Sequence, residues 1–263
     1  MFDAGNAPGD VAGAIMASEA APIRRSGTYR LLTLGNPKVA KGSGYGYLTA
    51  VLHFAPADLA GRGTVCVYST PGCRAGCLNK AGRGGIVAKG KRTNAIQRAR
   101  VRRTRDYFER RDAFMAQLHA DIARLIWDAA RHGLKPALRI NGTSDLPGLA
   151  HKVAAVWPTL AMYDYTKLPK PWVRERSNYR LTFSRAENND AACLEALAHG
   201  VNVAVVFDTP KGRALPATWN GYPVVDGDKT DLRFLDPRGV VVGLRAKGPA
   251  RRDRSGFVVR TVA

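Results

Sequence analysis

The run "VNVAVVFDT", residues 201–209, decides the fold. Asn202 alone interrupts an apolar stretch from Val201 to Phe207, and the alternation of a half-solvated strand is missing. A strand of this kind is covered on both faces, as in a parallel sheet with crossover helices. Just upstream, "AACLEALAHG" (191–200) has helical spacing and a glycine stop.

The same alternation continues outward. "TYRLLTL" (28–34), "YLTAVLHFAP" (47–56), "PALRIN" (136–141), "LAMYDYTK" (160–167), "YRLTFSRAEN" (179–188), "YPVVDGD" (222–228) and "GVVVGLRAKG" (239–248) read as strands, and "AHKVAAVWP" (150–158) as a helix. One long helix is expected over 93–132. Phe114, Leu118, Ile122, Leu125, Ile126 and Ala129 form its buried stripe, and Gly133 and Pro136 end it. Roughly seven or eight strands alternating with helices predict an α/β fold, a TIM-like complete or partial (β/α) barrel with parallel strands. Residues 1–27 read as a flexible N-terminal tail. Residues 28–263 read as a single barrel-like domain carrying a basic helical segment over 89–132.

Charge points to the partner. Lys and Arg number 41 against 21 acids, a net charge of +20. Such a surface attracts polyanions in a salt-dependent way, so nucleic acid is the expected partner. Arg83, Lys89, Lys91, Arg92, Arg98, Arg102, Arg103 and Arg105 crowd a stretch with almost no acids. They go round the helix rather than along one stripe. A solvated charged face is the plain reading of such a run, and a phosphate-backbone contact the functional one. No run is long and apolar enough to span a bilayer, the N-terminus has no signal-peptide pattern, and four cysteines make no disulfide framework. A cytoplasmic protein without a membrane partner is expected.

In parallel α/β folds the reactive groups gather where strands end. The expected strand ends carry Asn141, Ser144 and Asp145; Tyr163, Asp164, Tyr165 and Lys167; Ser184, Arg185 and Asn188; Asp208; and Asp226 and Asp228. Any one cluster has a plain reading as loop polarity, and Ser144 and Asp145 suit a helix cap. Together they predict one pocket. Asp145, Asp226, Asp228 and Asp164 are its candidate catalytic carboxylates, and Asn141, Ser144, Tyr163, Tyr165, Lys167, Ser184, Arg185, Asn188 and Asp208 its candidate substrate contacts.

Cys66, Cys73 and Cys77 fall in "TVCVYSTPGCRAGCLNKAGRGG" (64–85) with spacing C-x6-C-x3-C. They fit zinc, given a fourth ligand such as His53 or Cys193, or an iron–sulfur cluster on three thiolates. They also fit small buried thiols. Walker, dinucleotide and H-E-x-x-H motifs do not occur in the sequence.

"GCRAGCLNKAGRGG", "LRINGTSDLPG", "MYDYTK", "LTFSRAEN" and "VVDGDKTDLRFLDPRGVVVGLRAKG", in this order, resemble a family of uncharacterised phage and prophage proteins. At a distance the chain is similar to phage enzymes related to tRNA-guanine transglycosylase, and to radical-SAM-like barrels in which a cysteine loop follows the first strand. The first likeness implies base exchange at a glycosidic bond in DNA, with Asp145 and Asp226 or Asp228 as nucleophile and acid/base and a deazapurine as co-substrate. DNA is then favoured over RNA. The second implies radical or redox chemistry on Cys66, Cys73 and Cys77. Two departures stand beside these likenesses: no cysteine follows Cys193, and the spacing is not C-x3-C-x2-C. A non-catalytic DNA-binding accessory role is the third expectation.

Overall fold

The computed structural model describes residues 31–34 and 41–261. The expected tail over 1–27 lies outside the described residues.

Among the described residues nine strands form one sheet in the order β1-β2-β3-β4-β5-β6-β9-β8-β7. They are β1 (Leu32–Thr33), β2 (Tyr47–Leu52), β3 (Lys135–Arg139), β4 (Ala161–Thr166), β5 (Tyr179–Ser184), β6 (Asn202–Phe207), β7 (Thr218–Trp219), β8 (Tyr222–Asp226) and β9 (Val241–Arg245). All neighbours pair parallel except the two outermost pairs, β1 with β2 and β7 with β8. The sheet does not close, so the expected barrel is corrected to an open, mainly parallel α/β sheet. Its edges are the two-residue strands β1 and β7, which turn antiparallel and do not meet.

Five helices among the described residues accompany it: α1 (Pro71–Ala75), α2 (Ala95–Glu109), α3 (Arg111–Arg131), α4 (Pro147–Val156) and α5 (Asp190–Ala198). The single helix expected over 93–132 is two helices. The chain breaks at Arg110, with φ −139° and ψ 55°, and Arg110 pairs back to Asp106 at 3.1 Å. Gly133 lies just past the end of α3 at φ 64°, a conformation that costs glycine little, but Pro136 starts no loop and lies within β3.

Two apolar cores cover the same face of the sheet. Phe114, Leu118, Ile122 and Leu125 of α3 and Leu149, Ala150 and Val153 of α4 pack on Ala50, Leu52, Leu138, Ile140 and Met162. Cys193, Ala196 and Leu197 of α5 pack on Phe183, Val203, Val205, Phe207 and Val241. Burying one such large aliphatic or aromatic side chain contributes about 1.5–3 kcal/mol, so the amphipathic helices are fixed by this face. The opposite face is covered by a segment after β8, where Leu232 and Phe234 meet Tyr47, Ala137 and Tyr163. Lys41, in the turn before β2, donates to the Asp228 carbonyl at 3.1 Å and so ties the residues before β2 to the loop after β8.

Candidate functional site

Parallel pairing brings the carboxyl ends of β2 to β6, β8 and β9 to one edge. The long β2–β3 crossover carries the cysteines over it. Cys66 forms a parallel bridge with Asp145, and the Asp145 amide donates to the Val65 carbonyl at 2.7 Å. The first cysteine is thereby fixed beside the exit of β3. Thr70 caps α1 by accepting the Cys73 amide at 3.2 Å, with Pro71 at the first helical position. Cys73 lies within α1, and Cys77 caps the following turn, Leu78–Lys80.

Two residues from later in the chain hold this loop. Glu187, beyond β5, accepts the Thr70 hydroxyl and the Gly72 amide, both at 2.7 Å. A Cβ on Gly72 would lie 2.2 Å from Ser255 Oγ and 2.8 Å from Phe257 Cβ, so α1 packs directly on the C-terminal segment. Arg185 secures that segment through the Gly256 and Phe257 carbonyls and pairs with Asp190 at 2.7 Å.

The three cysteines are partly buried, and the sulfurs of Cys66 and Cys77 are hydrogen-bonded. Cys66 Sγ accepts the Ala57 amide at 3.3 Å, and Cys77 Sγ accepts the Asn79 amide at 3.5 Å. Burial pushes the Cys66 thiol up to about 11, and repulsion from Cys77, Asp145 and Cys73 adds to this. Burial also raises Cys77, with Cys73 adding to the shift and Arg100 and Lys167 opposing it. Among the described residues no three His, Cys, Asp or Glu side chains stand in ready-made coordination geometry. The fourth cysteine, Cys193, lies on the buried face of α5, in the core, rather than at this loop.

Asp145 lies beside Cys66 through their shared bridge. It accepts the Thr166 hydroxyl and the Lys167 amide, both at 2.7 Å, and burial raises its pKa despite those bonds. Ser144 donates to the Asn141 side chain at 2.8 Å, and α4 has no side-chain cap, so neither Ser144 nor Asp145 is a capping residue.

The other predicted site residues have separate settings. Asp164 turns to the helix-covered face, where it accepts the Asn141 amide at 2.7 Å, the Asn141 side chain at 3.0 Å and Tyr179 at 3.1 Å. Tyr163 donates to Asp231 at 3.2 Å, while Tyr165 lies under the Arg139 guanidinium. The Lys167 ammonium is 5.8 Å from the Phe257 ring. Ser184 offers its carbonyl to Asn189, and Asn188 is exposed. Asp208 binds Thr261 and Arg260. Asp226 pairs with Arg245 at 3.0 Å, and Asp228 with Lys247 at 2.6 Å. Five strand spacings, about 24 Å along the sheet, separate β3 from β8, so Asp145 and the Asp226–Asp228 pair are held in different surroundings.

Of the basic segment, Arg83, Lys89, Lys91, Arg92, Arg98, Arg102 and Arg105 are exposed, and Arg103 is half-buried with Nη1 on the His53 carbonyl at 3.5 Å. Arg98 and Arg105 bond to the carbonyls of Thr93 and Ala60. Sequence reasoning missed Glu187 and Phe257 as the holders of the cysteine loop. Only their place at or after a strand end signals them, because their partners are remote in sequence.

Among the described residues no helix is long and apolar enough to cross a membrane. A family model described as "Gene product 88" matches residues 29–261, in agreement with the phage-type family expected from the motifs. No curated protein and no solved structure matches the chain.

Proposed function

The chain belongs to the Gene product 88 family, and for it we propose an enzyme that modifies nucleic acid, DNA in first place, with an iron–sulfur cluster on Cys66, Cys73 and Cys77. The observation that supports the reading is that Cys66, Cys73 and Cys77 all lie in the one crossover that passes the carboxyl edge of the sheet, with backbone amides directed at the sulfurs of Cys66 and Cys77. Amide-to-sulfur bonds favour the thiolate form and tune clusters of this kind. A bound cluster supplies one-electron chemistry.

The chain's own residues do the rest. Glu187 and the C-terminal segment fix the loop, and Arg100 and Lys167 favour negative charge on Cys77. The exposed cations from Arg83 to Arg105 hold phosphates. The test is anaerobic purification with iron and sulfide analysis, together with mass spectrometry of nucleosides from expressing cells. A brown protein with iron and sulfide, both lost in Cys73→Ala, supports the reading. A colourless protein without iron overturns it, and zinc in place of iron turns the loop into a structural site.

A second reading rests on Asp145. Its raised pKa suits a general acid that gives its proton to the departing base while a ring nitrogen of the incoming deazapurine bonds to the sugar C1′ in its place, the proton of that nitrogen returning to the Asp145 carboxylate. It expects base exchange in DNA by metal-free protein, abolished by Asp145→Asn. Unchanged nucleoside composition with the metal-free chain removes it.

A further inference from the structure

A second cationic stretch, separate from the basic helix, docks on the cysteine loop. The turn Gly248–Arg252 lies against the turn Leu78–Lys80 that follows Cys77. A Cβ on Gly248 would stand 3.0 Å from Ala81 Cβ and 3.2 Å from the Lys80 carbonyl oxygen, and one on Gly76 would stand 3.2 Å from Ala250 Cβ. Ala250 is buried at this contact, and Arg251, Arg252 and Arg254 beside it are exposed. The row continues beyond Lys80. Asn94, which caps α2, donates to the carbonyls of Arg83, Gly84 and Ile86 at 3.2, 3.0 and 2.8 Å, and the Gln97 side chain donates to the Gly84 carbonyl at 2.8 Å. Packing and hydrogen bonds thus join three segments in a row: the C-terminal turn, the cysteine loop and the start of the basic helix.

The cations of this row are not neutralised by the domain. Lys80, Arg83, Arg251, Arg252 and Arg254 are exposed, and none has an ion-pair partner among the described residues. Two neighbouring acids are engaged elsewhere. The Asp253 carboxylate accepts the Ser255 hydroxyl at 2.7 Å and the Val258 amide at 3.0 Å, and that of Glu187 accepts Thr70 and Gly72. Like charges gathered in this way repel one another, and a polyanion relieves the repulsion. Apolar side chains interrupt the row, since Leu78 is 55% exposed and Ile86 71%. A duplex would set its charged rim against these two side chains. A single strand turns the faces of unpaired bases to them.

We propose that the C-terminal turn and the cysteine loop form one band that binds a single strand of nucleic acid. Arg251, Arg252 and Arg254 hold phosphates at one end, Lys80 and Arg83 hold them along its middle, and unpaired bases pack on Leu78 and Ile86. The band rests on the nucleic-acid reading above and names the form of strand it takes; it does not require iron on the cysteines.

The test is fluorescence anisotropy of the full-length protein with a labelled oligothymidylate and with a hairpin duplex, over a range of salt. The oligothymidylate is expected to bind more tightly. Arg251→Gln, Arg252→Gln and Arg254→Gln together lower its slope of log affinity against log salt by about two, since each contact to a single-strand phosphate contributes about 0.7. Lysine at the same three positions keeps the slope, which separates lost contacts from a misfolded turn. Arg131→Gln, Lys135→Gln and Lys152→Gln together remove equal charge from the amino edge and the helix layer, and they leave the slope unchanged. Leu78→Ser with Ile86→Ser removes the preference for the single strand. A slope that responds equally to the two triple glutamine replacements, or a duplex bound as tightly as the oligothymidylate, overturns the band and leaves the nucleic-acid reading standing on α2. Absence of binding to both probes overturns the two together.

Discussion

Glu187 reaches across 117 residues of sequence to accept the Thr70 hydroxyl at 2.7 Å, and its second oxygen takes the Gly72 amide. One carboxylate thus fixes the start of the helix that carries Cys73. Hydrogen bonds to a charged acceptor contribute about 1.5–3 kcal/mol each, enough to decide whether a short loop helix keeps its place. Glu187→Ala is expected to leave the fold intact and to speed alkylation of Cys73 and Cys77 about tenfold, the factor that 1.4 kcal/mol represents. Glu187→Gln keeps one acceptor and falls between. Mass-spectrometric labelling rates check this, and equal rates in all three proteins count against it.

Two glycines are expected to respond in opposite directions. A Cβ on Gly142 would lie 2.7 Å from both His53 Cδ2 and Val51 Cγ1 and 2.8 Å from the Leu52 carbonyl. Gly142→Ala forces the exit of β3 away from β2 and is expected to cost about 1–3 kcal/mol. A Cβ on Gly148, in α4, would meet nothing within 4 Å, so Gly148→Ala is expected to stabilise by about 0.5–1 kcal/mol. Urea unfolding measures both.

Asp164 sets a pH dependence. Burial pushes it up to about 7 against an ordinary value of 3.8, despite the Arg139 charge and the bonds from Asn141 and Tyr179. The folded state therefore holds a proton that the unfolded chain releases near pH 4. Stability from this group is present below that pH and falls as pH rises toward 7, by at most about 1.4 kcal/mol per pH unit. Unfolding free energies at pH 5 and pH 7.5 should diverge between the unaltered protein and Asp164→Asn, whose difference is flat. Parallel pH profiles would count against the shift.

Arg98 and Arg102 are exposed on α2. Replacing both with Gln is expected to lower the slope of log affinity against log salt by about two, since each phosphate contact contributes about 0.9 on duplex DNA. Fluorescence anisotropy with labelled duplex and single strands measures the slope. An unchanged slope places the phosphates elsewhere.

The strands were legible because their apolar runs belong to a sheet buried on both faces, and β2 to β6, β8 and β9 all fall within or beside the expected segments. Closure was not legible. It depends on what the edges do: β1 falls within the strand expected over 28–34, but its antiparallel pairing leaves no signal in the sequence, and β7 is two residues long, too short to leave a pattern. The break at Arg110 has no glycine or proline to mark it. Among the site residues, position at a strand end was readable, but partnership was not. Asp226, Asp228 and Asp208 find Arg245, Lys247 and Thr261 only once the last strand and the C-terminal segment have docked.

Tyr47 pairs with Lys135 in the first parallel ladder, and all three clustered cysteines lie in the chain between them. During synthesis, then, a ribosome that has not yet released residue 139 exposes loose thiols with no β3 beside them. Glu187 and Phe257 emerge later still. The loop that carries the thiols is therefore secured only after these two residues have left the ribosome.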